Sequence, residues 1–157
     1  MDGGRRAILR SAGQATLVAL AAAAGLIKPE DARAEGWNKS AFDARSLGEA
    51  LKGLAAGEPA QSKDIAFVQT PEIAENGAVV PIGVASALAK TEAIAILIEK
   101  NPNTLAAVFD IAPDTEAAVF TRVKMAQTSN VYALVKADGR YYIASKEIKV
   151  TLGGCGG

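Results

Sequence analysis

The sequence holds no histidine and one cysteine in 157 residues. The first absence removes the usual general base near neutral pH and the commonest metal ligand. The second excludes a disulfide within the chain and any cysteine-rich zinc site. Hydrolase and metalloenzyme readings therefore lose their usual groups, and neither a catalytic residue set, a metal site nor a cofactor is expected. An excess of one charge is missing too, since 17 Lys and Arg balance 17 Asp and Glu. Nowhere do basic residues gather beside aromatics as on a nucleic-acid surface, so no nucleic-acid partner is expected. No apolar run suits a membrane span either. Ser11 to Ile27 is uncharged for 17 residues, but Gly13, Gln14 and Gly25 dilute it, and a spanning helix needs about 20 apolar residues.

What the chain does have begins with that stretch. Arg5, Arg6 and Arg10 precede it as a charged region before an apolar one, and Ala32-Arg33-Ala34 supplies the small-x-small pattern of a cleavage site. Residues 1–34 thus read as a signal peptide cut after Ala34. The adjacent Arg5 and Arg6 fit a twin-arginine export signal, with Gly4 and Ile8 departing from its commoner residues, and the destination is the bacterial periplasm. With the five basic and three acidic residues of 1–34 removed, 12 basic and 14 acidic residues remain, so the mature chain carries a formal charge of −2. Half the sequence is hydrophobic, enough for one packed domain.

Residues 35–152 read as that domain. Ser46-Leu47-Gly48-Glu49 is a capping box, followed by Leu47, Ala50, Leu51 and Leu54 at helical spacing, with Gly57 and Pro59 closing a helix near 46–56. Phe42 extends its apolar face. That stripe covers either the domain's own core, the simpler reading, or a partner. From Ile65 the texture changes to short β-branched and apolar runs between turn residues. Strands are expected at 65–69, 78–85, 93–99, 105–111, 118–125, 131–137, 140–144 and 147–152, with a tight hairpin at Asp138-Gly139 and turns at Asn76-Gly77 and Asn101-Pro102-Asn103. The fold class is all-β: an immunoglobulin-like sandwich of seven or eight strands with one short N-terminal helix and a flexible Gly-Cys tail.

The tail, residues 153–157, is GGCGG. Free cysteines usually pack among apolar side chains, yet Cys155 lies between Gly153, Gly154 and Gly156, Gly157. Glycine is the residue least able to hold one conformation, and five residues reach on the order of 16–18 Å at full extension, so the thiol sits on a swinging arm. No neighbouring Lys or Arg, helix start or CxxC pair activates it. This suits a passive attachment point presented to other proteins, as lipoamide and CoA are. A tether through an intermolecular disulfide, in a non-catalytic interaction module, is the alternative. Glu72 and Glu75, three apart, have no pocket-forming company and read as a solvated loop edge.

The GGCGG tail, the AENG turn at Ala74–Gly77 running into AVVPI, the EKNPN turn at Glu99–Asn103, the strand pair RVKMAQTSNVYALV and the twin-arginine leader together resemble the SoxY family of thiosulfate-oxidation sulfur carriers. The likeness runs through essentially the whole chain. It implies a heterodimer with the β-sandwich subunit SoxZ, no resident cofactor, and Cys155 as the covalent anchor for thiosulfate-derived sulfur. It further implies loading by a haem-bearing SoxAX partner, sulfate release by SoxB and, where present, oxidation of the remaining sulfur by a molybdenum-dependent SoxCD. The chain itself would carry rather than catalyse.

Overall fold

The computed structural model describes residues 38–151. The expected signal segment 1–34, with Arg5 and Arg6, and the expected arm 153–157, with Cys155, lie outside the described residues. The elements are α1 (Lys39–Phe42), α2 (Leu47–Gly53), β1 (Ala60–Gln61), β2 (Ile65–Val68), β3 (Ile73–Ala74), β4 (Val80–Ser86), β5 (Thr91–Ile98), β6 (Leu105–Asp110), β7 (Ala118–Val123), β8 (Ser129–Ala137) and β9 (Arg140–Val150).

Two sheets form an immunoglobulin-like sandwich. The larger has the order β1-β9-β8-β5-β6, with β3 also on β9, and the smaller is β2-β4-β7. Between them lies a core that includes Val80, Ile82 and Val84 of β4, Ile94, Ile96 and Ile98 of β5, Val131, Ala133 and Val135 of β8 and Ile148 of β9. The alternate residues of the larger sheet, Ala95, Leu97, Leu134 and Ile143, face a second core with Ala41 and Ala50 of the two helices. Both faces of β5 and β8 are therefore covered, which is why β5 reads as a near-unbroken apolar run rather than an alternating one. The helical stripe covers its own domain: Leu47, Leu51 and Leu54 pack on that second core.

Local chemistry sets the boundaries. The Ser46 side chain accepts from the Glu49 N–H, while Glu49 Oε2 accepts from the Arg45 N–H at 2.8 Å, so the reciprocal bond of the capping box lands one residue earlier than the usual pattern. The helix stops at Gly53, short of the expected 56. The Ala55 N–H reaches Lys52 O and the Ala56 N–H reaches Leu51 O, a Schellman ending with Ala55 left-handed at φ 54°. A second helix, α1, precedes it, whereas only one helix was expected; Asn38 caps it through its side chain. The hairpin at 138–139 has positive φ at both Asp138 (47°) and Gly139 (72°), the type I′ geometry that matches strand twist.

The strand count differs from the expected eight in two ways. The expected strands at 140–144 and 147–152 are one strand, β9 (Arg140–Val150), because Ser145 and Lys146 continue the ladder opposite Tyr132 and Val131. Ser145 is exposed, while Lys146, on the opposite face, is half-buried and donates through Nζ to Thr70 O at 2.7 Å, so their polarity marks no break. Two dipeptide strands, β1 and β3, were not foreseen; each exists only as a parallel pairing on β9, and two residues are too few for any periodicity.

Candidate functional site

What the structure describes of the expected Cys155 site is its root, the last described residues of β9 and Thr151. Ile148 is fully buried and opposes Ser129 in the last rung of the β8 ladder. The two residues beyond are held by other means. The Val150 N–H donates to Thr128 Oγ1 at 3.0 Å, a side-chain hydroxyl standing in for the next backbone rung. On the other edge the Lys149 N–H donates to Glu72 O at 2.8 Å and the Thr151 N–H to Ala74 O at 3.0 Å. The chain is thus clamped from both sides as far as Thr151.

Each clamp rests on a turn visible in the sequence. In the AENG turn the Ala78 N–H donates to Asn76 Oδ1 at 2.9 Å and the Val79 N–H to Asn76 O at 3.3 Å, an Asx-type turn. Gly77 follows because nothing larger fits: a Cβ there would lie 2.5 Å from Met125 O and 2.9 Å from Val150 Cγ1. The Met125 N–H donates to Gly77 O at 2.7 Å. Asn101, from the EKNPN turn, donates through Nδ2 to Lys124 O at 2.7 Å and accepts at Oδ1 from the Ala126 N–H at 3.1 Å. The Lys100 N–H donates to Ser129 Oγ at 3.1 Å. Three stretches far apart in sequence, 74–77, 100–101 and 124–129, therefore meet at one end of the sandwich, around the last described residues of the chain.

Glu72 and Glu75 flank β3 and are exposed, as expected of a loop edge; Glu72 contributes its carbonyl, not its carboxylate, to the clamp. Among the described residues no group of three or more His, Cys, Asp or Glu is placed to hold a metal. Apart from Tyr132, raised by burial, the described groups with shifted ionisation gather instead at the far end of β9, by the 138–139 turn. There Lys136 Nζ meets Glu92 Oε2 at 2.8 Å and holds the Glu92 carboxyl below its ordinary value, helped by the Gly139 N–H. Lys90 beside Asp138 does the same for that carboxyl. Sequence reasoning missed Thr128 and Asn101, whose roles depend on partners 22 and 25 residues away. An Asn inside a Pro-flanked turn was a signal for Asn101; Thr128 gave none.

The sequence model of the family described as sulfur oxidation protein SoxY matches residues 52–155, a span whose last residue is Cys155. Among solved structures, the sulfur carrier protein SoxY from Chlorobium limicola f thiosulfatophilum is 36% identical, with a TM-score of 0.60 over 68% of this chain and 97% of that one. A superoxide reductase (neelaredoxin) from Ignicoccus hospitalis is 17% identical, with a TM-score of 0.49 over 55% of this chain and 80% of that one. No protein among the curated ones matches.

Proposed function

The chain belongs to the SoxY family, and on that premise we propose that it is a periplasmic sulfur carrier of thiosulfate oxidation, not a catalyst, with Cys155 as the covalent anchor. The observation that carries this reading is the family match running through Cys155, together with 36% identity to a protein described as a sulfur carrier. The clamped root supports it: β9 delivers the arm from a fixed point, and the glycines on both sides of Cys155 provide the freedom a visiting thiol needs.

The chemistry balances with partner enzymes supplying the reactivity. The Cys155 thiol and thiosulfate lose two electrons and one proton as an S–S bond forms, giving a cysteine S-thiosulfonate; a haem partner of SoxAX type accepts the electrons. Water then attacks the terminal sulfonate sulfur in a hydrolase of SoxB type, releasing sulfate and two protons and leaving a persulfide anion on Cys155. A SoxCD-type enzyme would oxidise that sulfur further. SoxZ is the expected stable partner, and Arg5 and Arg6 direct export of the folded complex.

The test is mass spectrometry, without reductant, of the protein isolated from cells grown on thiosulfate. Thiosulfonate or sulfane adducts confined to Cys155 are expected, and Cys155→Ser should fold normally yet abolish thiosulfate-dependent electron delivery. A bare thiol or a simple interchain disulfide would replace the carrier with a tethered interaction module.

A further inference from the structure

Four large apolar side chains stand exposed among the described residues: Ile73 (57%), Val79 (51%), Val108 (36%) and Phe120 (58%). Scattered exposed apolar residues are ordinary, so position decides whether any of them matters. Ile73 opposes Lys149 in the β3–β9 pairing and adjoins Ala74, whose carbonyl holds Thr151. Val79 is two residues past Gly77, which lies against Val150. The two thus flank the point where the described chain ends, and neither belongs to a core cluster.

The length of chain beyond that point says what must cover them. Cys155 is four residues past Thr151, about 13 Å at full extension. An enzyme that acts on the thiol inside a recessed pocket uses up part of this reach in the depth of the pocket. Its surface must therefore come down onto the residues around Thr151. We propose that Ile73 and Val79 are the apolar docking contact for the enzyme that forms the bond between Cys155 and sulfur, a redox protein with an apolar rim around its pocket. The inference rests on the carrier reading and adds where its partner sits.

The experiment uses the full chain, purified in the complex in which it is isolated, with the thiosulfate-oxidising haem enzyme from thiosulfate-grown cells and thiosulfate as substrate. Haem reduction is followed as carrier concentration varies. Ile73→Ser/Val79→Ser should raise the KM for carrier about tenfold with kcat unchanged, the pattern of lost uniform binding. Val108→Ser, away from the root, should leave both constants as they were. Alkylation of Cys155 by iodoacetamide should proceed at the same rate in all three proteins, showing that the thiol itself is unaltered. An unchanged KM in the double variant overturns the docking proposal while the carrier reading stands, as does an equal rise in Val108→Ser. Loss of a co-purifying subunit from the double variant with unchanged KM assigns the patch to that subunit and also overturns it. A native protein that takes no sulfur at all overturns both readings.

Discussion

Gly77 and Glu92 illustrate how single residues set the two ends of β9. At Gly77 the space for a side chain is already filled by Met125 O and Val150, so Gly77→Ala must push the 124–128 loop and β9 apart. Overpacking of this kind costs about 1–3 kcal/mol, and urea denaturation should show a loss in that range. At the other end both oxygens of Glu92 are engaged, by Lys136 Nζ at 2.8 Å and by the Gly139 N–H at 2.7 Å. The Glu92 carboxyl is held below its ordinary value, chiefly by Lys136, so its contribution is present above the unfolded carboxylate pKa, about 4.3. That contribution disappears as pH falls through the lower folded value. Lys136 is raised by the same contact, so its contribution is complete below the ordinary lysine value and lost as pH climbs past it. Glu92→Gln should flatten both the acid and the alkaline limbs of the stability profile; both limbs unchanged would show the pair to be silent. The half-exposed setting of the pair makes the effect small and salt-sensitive.

Elements were legible in proportion to their length. Strands of six residues or more announced themselves by β-branched, apolar composition, and β5 by an apolar run that only a strand buried on both faces sustains. The 138–139 hairpin was written in two residues because only Gly and a few polar residues tolerate its positive φ. Gly139→Ala, at φ 72°, should therefore cost about 1–2 kcal/mol. The reverse case is the end of α2, where Ala55 occupies the left-handed position that glycine normally takes. Ala55→Gly relieves that strain against a smaller entropic loss in the unfolded chain, and a gain of about 0.5–1 kcal/mol in urea unfolding is expected. The dipeptide strands β1 and β3, made by tertiary pairing alone, left no periodic trace, and the four-residue α1 is too short to show one. The candidate site divides the same way: Cys155 and its glycines stand out in the sequence by composition, while Thr128, Ile73 and Val79 gained meaning only when the fold brought them to the end of β9. In sequence Ile73 and Val79 look like any other apolar residue beside a turn.

At the scale of the whole molecule, the larger sheet is the middle layer of three, with the smaller sheet on one side and the helices on the other. Two cores therefore share β5 and β8, and damage to either core should propagate. Leu97, fully buried on the helical side, tests this: Leu97→Ala should cost about 2–5 kcal/mol and shift α-helical and β-sheet circular dichroism signals together. Separate transitions would mean the helices are a detachable cover. The same layering bears on what would happen, under the proposed carrier role, when a partner grips the residues beyond Thr151 and diffusion pulls the two proteins apart. β9 runs for 11 residues between β8 on one edge and β1 and β3 on the other, so tension applied through Thr151 lies along the strand. Its hydrogen bonds run across that direction and share the load at once, as in a lap joint, whereas a terminal hairpin pulled crosswise would open like a zipper. In the proposed carrier, a tail anchored this way can be tugged by one enzyme after another without loosening the domain that carries it.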